Sequence, residues 1–580
     1  MFKKIVFSSL MLVLAVSATA QYDRHTKTIN MAGYITNTTD NTPDLQRALA
    51  DARRYHARRL VFPKDTYHFR PDSLNAFMTY ISNNGDYMRC FAFNLTGISD
   101  LEIDGGGSLF LFKGYVCPFY VNHAKRITLR NFTIDYQRTF HSEGHIKDVT
   151  PDHMDITFSE EYPYYIDNNR HLRFVDDEGT EYPWSYMLEF DLKRKETAYM
   201  AGDQWTGSGL EASDLGDRTV RLHKAGLRGK PGNVINFGMA YRKVPVITVT
   251  DSKDFALHNV TLLHGGGMGV IAQRSHNILL DSLVVTPAPS KDRVVSVAAD
   301  ATHFANCSGK INIYNCHLAN QTDDATNIHG IYYRIADILS DNRIMVELVH
   351  DAQYGFDYLK PNTQIEFVIP QSLITYAQSK IKSAYAISDR KFMLTLNQAP
   401  PAKVKRGDVI AGCSEYPTVH IKKCYFGNNR ARGLLLGSRA KITIEDNTFH
   451  TPGTAILLEG DARYWFEQSG VRNVVIRHNT FNNCNFDNWN RGTIGCGSNL
   501  NKEFFPTSFY NRNLTITDNT FIIHRNPILY LYSVDGITFK HNRIIATDSD
   551  YPCSVDKSKP AELFELIDCK RFVHDNPTIE

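Results

Sequence analysis

Apolar and polar positions along this chain repeat one phrase: apolar-x-apolar-x-polar-x-x-apolar. It reads Ile127-Thr128-Leu129-Arg130-Asn131-Phe132-Thr133-Ile134, and it starts again at Phe255, Ile278, Ile311, Val419, Ile442, Val474, Leu514 and Ile537. Phe255 to Ile278, Val419 to Ile442 and Leu514 to Ile537 each span 23 residues. Other spans are longer, as a loop inserted into one turn would make them. Short alternating strands broken by Asn, Gly and Asp bends at this period predict an all-β fold, a right-handed parallel β-helix. A propeller would need about 40 residues per unit. The triplet Asn-Thr-Phe recurs at Asn447, Asn479 and Asn519. An amide at the same bend of successive turns can stack into an internal ladder that satisfies the bend's open backbone groups.

Outside the repeat, an Ala/Leu/Arg-rich segment over 45–59 predicts a helix, with Thr42 as N-cap and Pro43 at N1. Placed before the first clear coil, Leu101 to Gly107, it would cover the open end of the solenoid and block edge pairing. The period is interrupted twice, over 139–244 and 332–408. Both interruptions are dense in short alternating strands and end alike: Lys230-Pro231-Gly232-Asn233-Val234-Ile235 and Lys405-Arg406-Gly407-Asp408-Val409-Ile410. They read as two related small β-barrel or β-sandwich insertions, placed to wall a substrate pocket. The expected order is a leader over 1–20, the cap and first coils over 21–138, the first insertion, coils over 245–331, the second insertion, and coils over 409–580.

The coils between the insertions carry a doubled phrase, Asp300-Ala301-Thr302-His303 and Asp324-Ala325-Thr326-Asn327, with Asp323 directly before the second copy. If each copy is one turn, Asp300 and Asp324 project side by side about 4.8 Å apart. Two carboxylates that close repel when both ionise, so one pKa rises and the pair titrates jointly. An Asp in a solenoid commonly serves only to bond the local backbone. A doubled phrase plus a third acid favours chemistry: a protonated acid facing a carboxylate pair that holds a water. An inverting glycosidase keeps these groups about 6.5–9.5 Å apart and a retaining one about 5 Å.

Further polar residues fall at strand ends: Asn327 and His329 after Asp324, His303 one coil earlier, Arg274, Arg432 and Glu459. Each is a candidate for sugar hydroxyls, with a salt bridge or turn role as the plain alternative. Trp465 offers a ring for the apolar face of a pyranose. Trp184 and Trp205, in the first insertion, are expected in its core. A calcium site on the three aspartates is the competing chemistry, as in β-helical lyases that abstract a proton with Lys or Arg. The repeated phrase has no adjacent Lys or Arg, which weakens that reading. A non-catalytic glycan-binding β-helix is the third.

Lys+Arg 64 against Asp+Glu 62 leaves a net charge of +2, which argues against nucleic acid or anionic lipid as partner. Aromatic residues reach 12%, which suits a sugar-handling surface. Lys3 and Lys4, an apolar run to Val16 and Ala18-Thr19-Ala20 predict an export signal. No later segment is apolar enough to span a membrane. The expected location is the periplasm or cell surface of a Gram-negative bacterium. Ten cysteines leave Cys413–Cys424 and Cys307–Cys316 as conceivable disulfides, with no zinc spacing. Self-association as a homodimer is left open.

Taken together, the leader, the cap, the repeat, the insertions and above all Asp300-Ala301-Thr302 with Gln321-Thr322-Asp323-Asp324-Ala325-Thr326-Asn327-Ile328-His329-Gly330 resemble glycoside hydrolase family 110. The resemblance implies an exo-acting α-1,3-galactosidase that inverts, needs no metal or other cofactor, and removes galactose from galactose-terminated glycans such as the blood group B antigen or linear Galα1-3Gal. It also implies Asp323 as general acid, with Asp300 and Asp324 sharing the base role.

Overall fold

Every start of the repeated phrase lies in parallel register with the next. Ile127 pairs beside Phe255, Phe255 beside Ile278, Ile278 beside Ile311 and Ile311 beside Val419. The run continues through Ile442, Val474, Leu514 and Ile537 to Phe572. The computed structural model describes residues 22–239, 241–339 and 341–580, and the expected export signal lies outside them. A 21-stranded sheet supplies two columns of strands and a 13-stranded sheet the third, making a right-handed parallel β-helix. The two columns of the larger sheet meet at bends where Lys423, Asp446, His478, Asp518 and His541 take positive φ between 54° and 57°.

Just inside these bends runs the expected ladder. Asn447 Nδ2 donates to Asn479 Oδ1 at 2.9 Å, Asn479 to Asn519 at 2.9 Å, and Asn519 to Asn542 at 3.0 Å. Beside it Phe426, Phe449, Phe481 and Phe521 stack at 5.1, 5.0 and 4.6 Å between ring centroids. Cys316 and Cys424 occupy the ladder position in earlier turns as buried thiols, and all ten cysteines are free. Neither disulfide weighed from the sequence forms.

The cap is a helix over Thr42–Tyr55 that buries Leu45, Ala48, Leu49 and Ala52. Its N-cap is Asn41 rather than Thr42. The Thr42 hydroxyl is committed elsewhere, accepting the Arg70 N–H at 2.9 Å, so Thr42 begins the helix instead of capping it.

The insertions differ in how they join the solenoid. The first is an antiparallel sheet of eight strands between Ser142 and Gly238, and its apolar residues Ile146, Ile156, Phe158 and Leu222 run into the solenoid core. The second closes as a six-stranded barrel over a core of its own, with Ile335, Val346, Phe367 and Leu394. Its last strand is Val409–Gly412, so the barrel runs past the boundary at 408: Val409 and Ile410 are needed to pair both neighbours and shut the ring. The shared closing phrase makes the same turn twice, with Gly232 at φ 92° and Gly407 at φ 91°, a conformation that suits glycine.

Candidate functional site

The doubled phrase stacks as its spacing predicts. Thr302 and His303 pair with Thr326 and Asn327, and Thr326 pairs with Leu434 one turn on. The position two residues before each strand therefore forms a column: Asp300, Asp324, then Arg432. Backbone bonds tie it together, Ala301 N–H to Asp324 O at 2.9 Å and Ala325 N–H to Arg432 O at 3.1 Å. Asp323, one residue out of the column, still reaches it. Asp300, Asp323 and Asp324 each offer an oxygen, all within 4.8 Å of one another. That is tighter than the expected gap between an acid and a base pair.

The three carboxylates differ in their partners. Arg432 donates to Asp324 from its backbone N–H at 3.1 Å and from Nη2 at 2.9 Å. Asp323 bonds the guanidinium of Arg242, with Arg430 Nη1 3.4 Å away. Arg430 is in turn held by Asp203 of the first insertion. Burial by itself would raise Asp323, but Arg242, Arg430 and Arg432 outweigh it and hold the carboxyl below the usual range. Burial raises Asp300, and the charge of Asp323 raises it further. Burial also pushes Asp324 well up, against the pull of Arg432. The site thus holds an ionised Asp323 beside a stacked pair that retains a proton.

Beneath the pair runs a relay of two buried histidines. His329 Nδ1 donates to the Gly330 carbonyl at 2.7 Å, because a carbonyl can only accept. His303 Nε2 lies 2.8 Å from His329 Nε2, and His303 Nδ1 lies 2.7 Å from Asp300 Oδ2. With the His303 ring neutral and its Nε2 donating to His329, its Nδ1 accepts from Asp300, which must then carry a proton. Burial lowers the His303 pKa well below its ordinary value, in keeping with a neutral ring.

These groups open into a cavity of about 740 Å³ whose lining includes all three aspartates, Asn327, Arg432, Glu459 and Trp465. Burial pushes Glu459 up to about 8. Asn327 Oδ1 and Arg432 Nε are buried atoms with no hydrogen-bond partner among the described residues. A second cavity of about 410 Å³ adjoins the first, and Asp323, Arg242, Arg430, Asn83 and Trp465 line both.

Of the residues singled out in the sequence, His303 and His329 stand behind the wall rather than in the cavity. Arg274 is not in the site. It follows Gln273 at the far end of a four-residue strand, about 13 Å from the end where the acid column lies. There it pairs with Asp251 at 2.9 and 2.8 Å and covers the ring of Phe356. Trp184 is buried as expected, but Trp205 is 63% exposed and lines the second cavity. Trp205 pairs at a two-residue edge strand, which leaves its outer ring face bare. The sequence reading missed Arg242, Arg430, Glu467, Trp489 and Arg491, all of which line the larger cavity. Arg430 sits two residues before Arg432, and the two could have been read together. The others lie outside the repeat and carry no periodic signal.

The absence of Lys or Arg beside the repeated phrase does not describe the folded site, since three arginines reach it from elsewhere. Their charge weighs against calcium at the three aspartates. A divalent cation among these carboxylates would meet three guanidinium groups already bonded to them or close by.

A solenoid that opens stacked aspartates, arginines and exposed tryptophans into one cavity defines a carbohydrate-active β-helix protein. Family models match in three places: "GLAA-B beta-barrel domain I" over 142–235, "GLAA-B beta-barrel domain II" over 343–410 and "Right handed beta helix region" over 409–570. The chain is 35% identical over 520 residues to α-1,3-galactosidase A of Shewanella woodyi, covering 88% of this chain and 84% of that one. It is 33% identical over 550 residues to α-1,3-galactosidase B of Bacteroides thetaiotaomicron, covering 93% and 88%. The corresponding enzyme B of Phocaeicola vulgatus is 31% identical, with 95% and 94% covered. The chain belongs to this α-1,3-galactosidase family, glycoside hydrolase family 110.

Proposed function

We propose that this chain is an exo-acting glycoside hydrolase that removes terminal α-1,3-linked galactose from glycans such as the blood group B antigen and linear Galα1-3Gal, with inversion. The relatives named above are α-1,3-galactosidases, and the observation that carries the reading is three carboxylates within 4.8 Å of one another lining a sugar-sized cavity. Asp323 protonates the glycosidic oxygen as the bond to the anomeric carbon breaks. Asp300 and Asp324 take a proton from the water that attacks the opposite face, and β-galactose leaves. With its expected export signal, the chain works in the periplasm or at the cell surface of a Gram-negative bacterium.

One observation favours a second reading of the roles. The arginines hold Asp323 ionised while the stacked pair keeps the proton, which would make Asp300 or Asp324 the acid. One set of measurements separates the readings. NMR of the first product from Galα1-3Gal should show the β-anomer, and α-galactose appearing first would establish retention. Asp323→Asn should lose about 10³-fold in kcat on the natural linkage but recover most of it on dinitrophenyl α-galactoside, whose leaving group needs no proton. Recovery in Asp300→Asn or Asp324→Asn instead would reverse the roles.

A further inference from the structure

The two cavities meet at a wall made by Asp323, and their linings are not alike. All three aspartates reach the larger cavity, whereas Asp323 alone of the three reaches the smaller. An anomeric carbon attacked with help from Asp300 or Asp324 must sit in the larger cavity, and the group that departs must lie on the other side of the residue that protonates it. The smaller cavity has the chemistry for that group. Trp205 and Tyr241 are 63% and 54% exposed, and Trp465, at 45%, lies between the two cavities. The chain has only four tryptophans, and three of them line this pair of cavities: Trp205 the smaller, Trp489 the larger and Trp465 both.

These rings are held, not loose. Trp205 packs at 5.1 Å against Tyr186, its strand partner, and Trp465 packs at 4.7 Å against the ring of His350 from the second barrel. A rigid exposed indole is a platform for the apolar C–H face of a pyranose. His350 and Asp351 on one side and Thr322 on the other supply polar groups for hydroxyls.

We infer that the smaller cavity is the leaving-group subsite, where Trp205 stacks on the pyranose that carries the scissile α-1,3 bond. This rests on the hydrolase reading above. When the C–O bond breaks, its electrons stay on the bridging oxygen, that oxygen takes a proton that Asp323 has drawn from the Asp300–Asp324 pair, and the sugar on Trp205 departs with a free hydroxyl. The first insertion is thereby a specificity element: it supplies Trp205 and none of the three aspartates.

The test compares Trp205→Ala on two substrates. α-Galactosyl fluoride fills the larger cavity and leaves nothing for the smaller one. Galα1-3Gal fills both. The variant should lose about tenfold in kcat/KM on the disaccharide, keep the wild-type value on the fluoride, and regain most of the loss as Trp205→Phe. An equal loss on both substrates, or no loss on either, overturns the assignment. Wild-type protein that turns over neither substrate would overturn the hydrolase reading, an outcome distinct from both.

Discussion

Two columns of side chains run along this solenoid, one at the Asn447 bend and one at the Asp300 bend. Both place like residues about one strand spacing apart on successive turns. In the first, each amide donates to the oxygen of the next, from Asn447 through Asn479 and Asn519 to Asn542, so repetition satisfies every member. In the second, a carboxylate has no proton to offer its neighbour unless one is retained. That column therefore draws on what the repeat does not supply: Arg432 at the next turn, His303 underneath, and Arg242 and Arg430 around Asp323. Stacking is indifferent to chemistry. Reactive charge collects where the stacked side chains cannot satisfy one another.

The largest effect should come from making the second column resemble the first. Asp324→Asn keeps the shape and removes a carboxyl that would take a proton from water. We expect kcat for galactose release to fall about 10³-fold or more, with the circular dichroism spectrum unchanged. Near-native turnover would remove Asp324 from the chemistry.

The reverse exchange tests the first column. Asn479 Nδ2 faces three acceptors: Ile444 O at 3.0 Å, Arg477 O at 2.9 Å and Asn519 Oδ1 at 2.9 Å. Asn479→Asp aims an oxygen at all three, and even a protonated acid has one hydrogen to offer. The cost should be about 3 kcal/mol, read as a fall in thermal or denaturant midpoint that worsens as pH rises through the carboxylate range. An unshifted midpoint would mean that the ladder adds little to stability.

Both columns were visible before folding because each is written in local repetition. The doubled Asp-Ala-Thr phrase and the Asn-Thr-Phe triplets mark positions that a solenoid must superimpose, and all nine starts of the apolar phrase proved to lie in register. What stayed hidden comes from outside the period. Arg242 arrives from the end of the first insertion, past its last strand, and Asp203, which holds Arg430, arrives from the insertion's interior. Arg274 misled for a related reason. It sits at a strand end, as Arg432 sits at a strand start, and only the register shows that these are opposite ends of the same layer. Trp205 was assigned to a core because most tryptophans are buried, and nothing in its neighbours announced an edge strand.

The smallest effect sharpens the comparison through pH. Asp300 has a folded pKa raised above the ordinary aspartate value of 3.8, because burial and the charge of Asp323 disfavour ionisation. Between 3.8 and the raised value the folded chain binds a proton that the unfolded chain has released. Folding stability from this group is therefore full at low pH and declines as pH rises toward the folded pKa. Asp300→Asn removes that decline, since an amide does not titrate and its N–H can still donate to His303 Nδ1. The variant should gain on wild type as pH rises from 4 to 8, read as a gap in thermal midpoint that widens with pH. Replacing one amide by another in the ladder, as Asn479→Gln, should cost stability by the same amount at every pH. If the Asp300→Asn difference is equally flat, the acid column is not strained by charge, and the contrast between the two columns fails at its physical root.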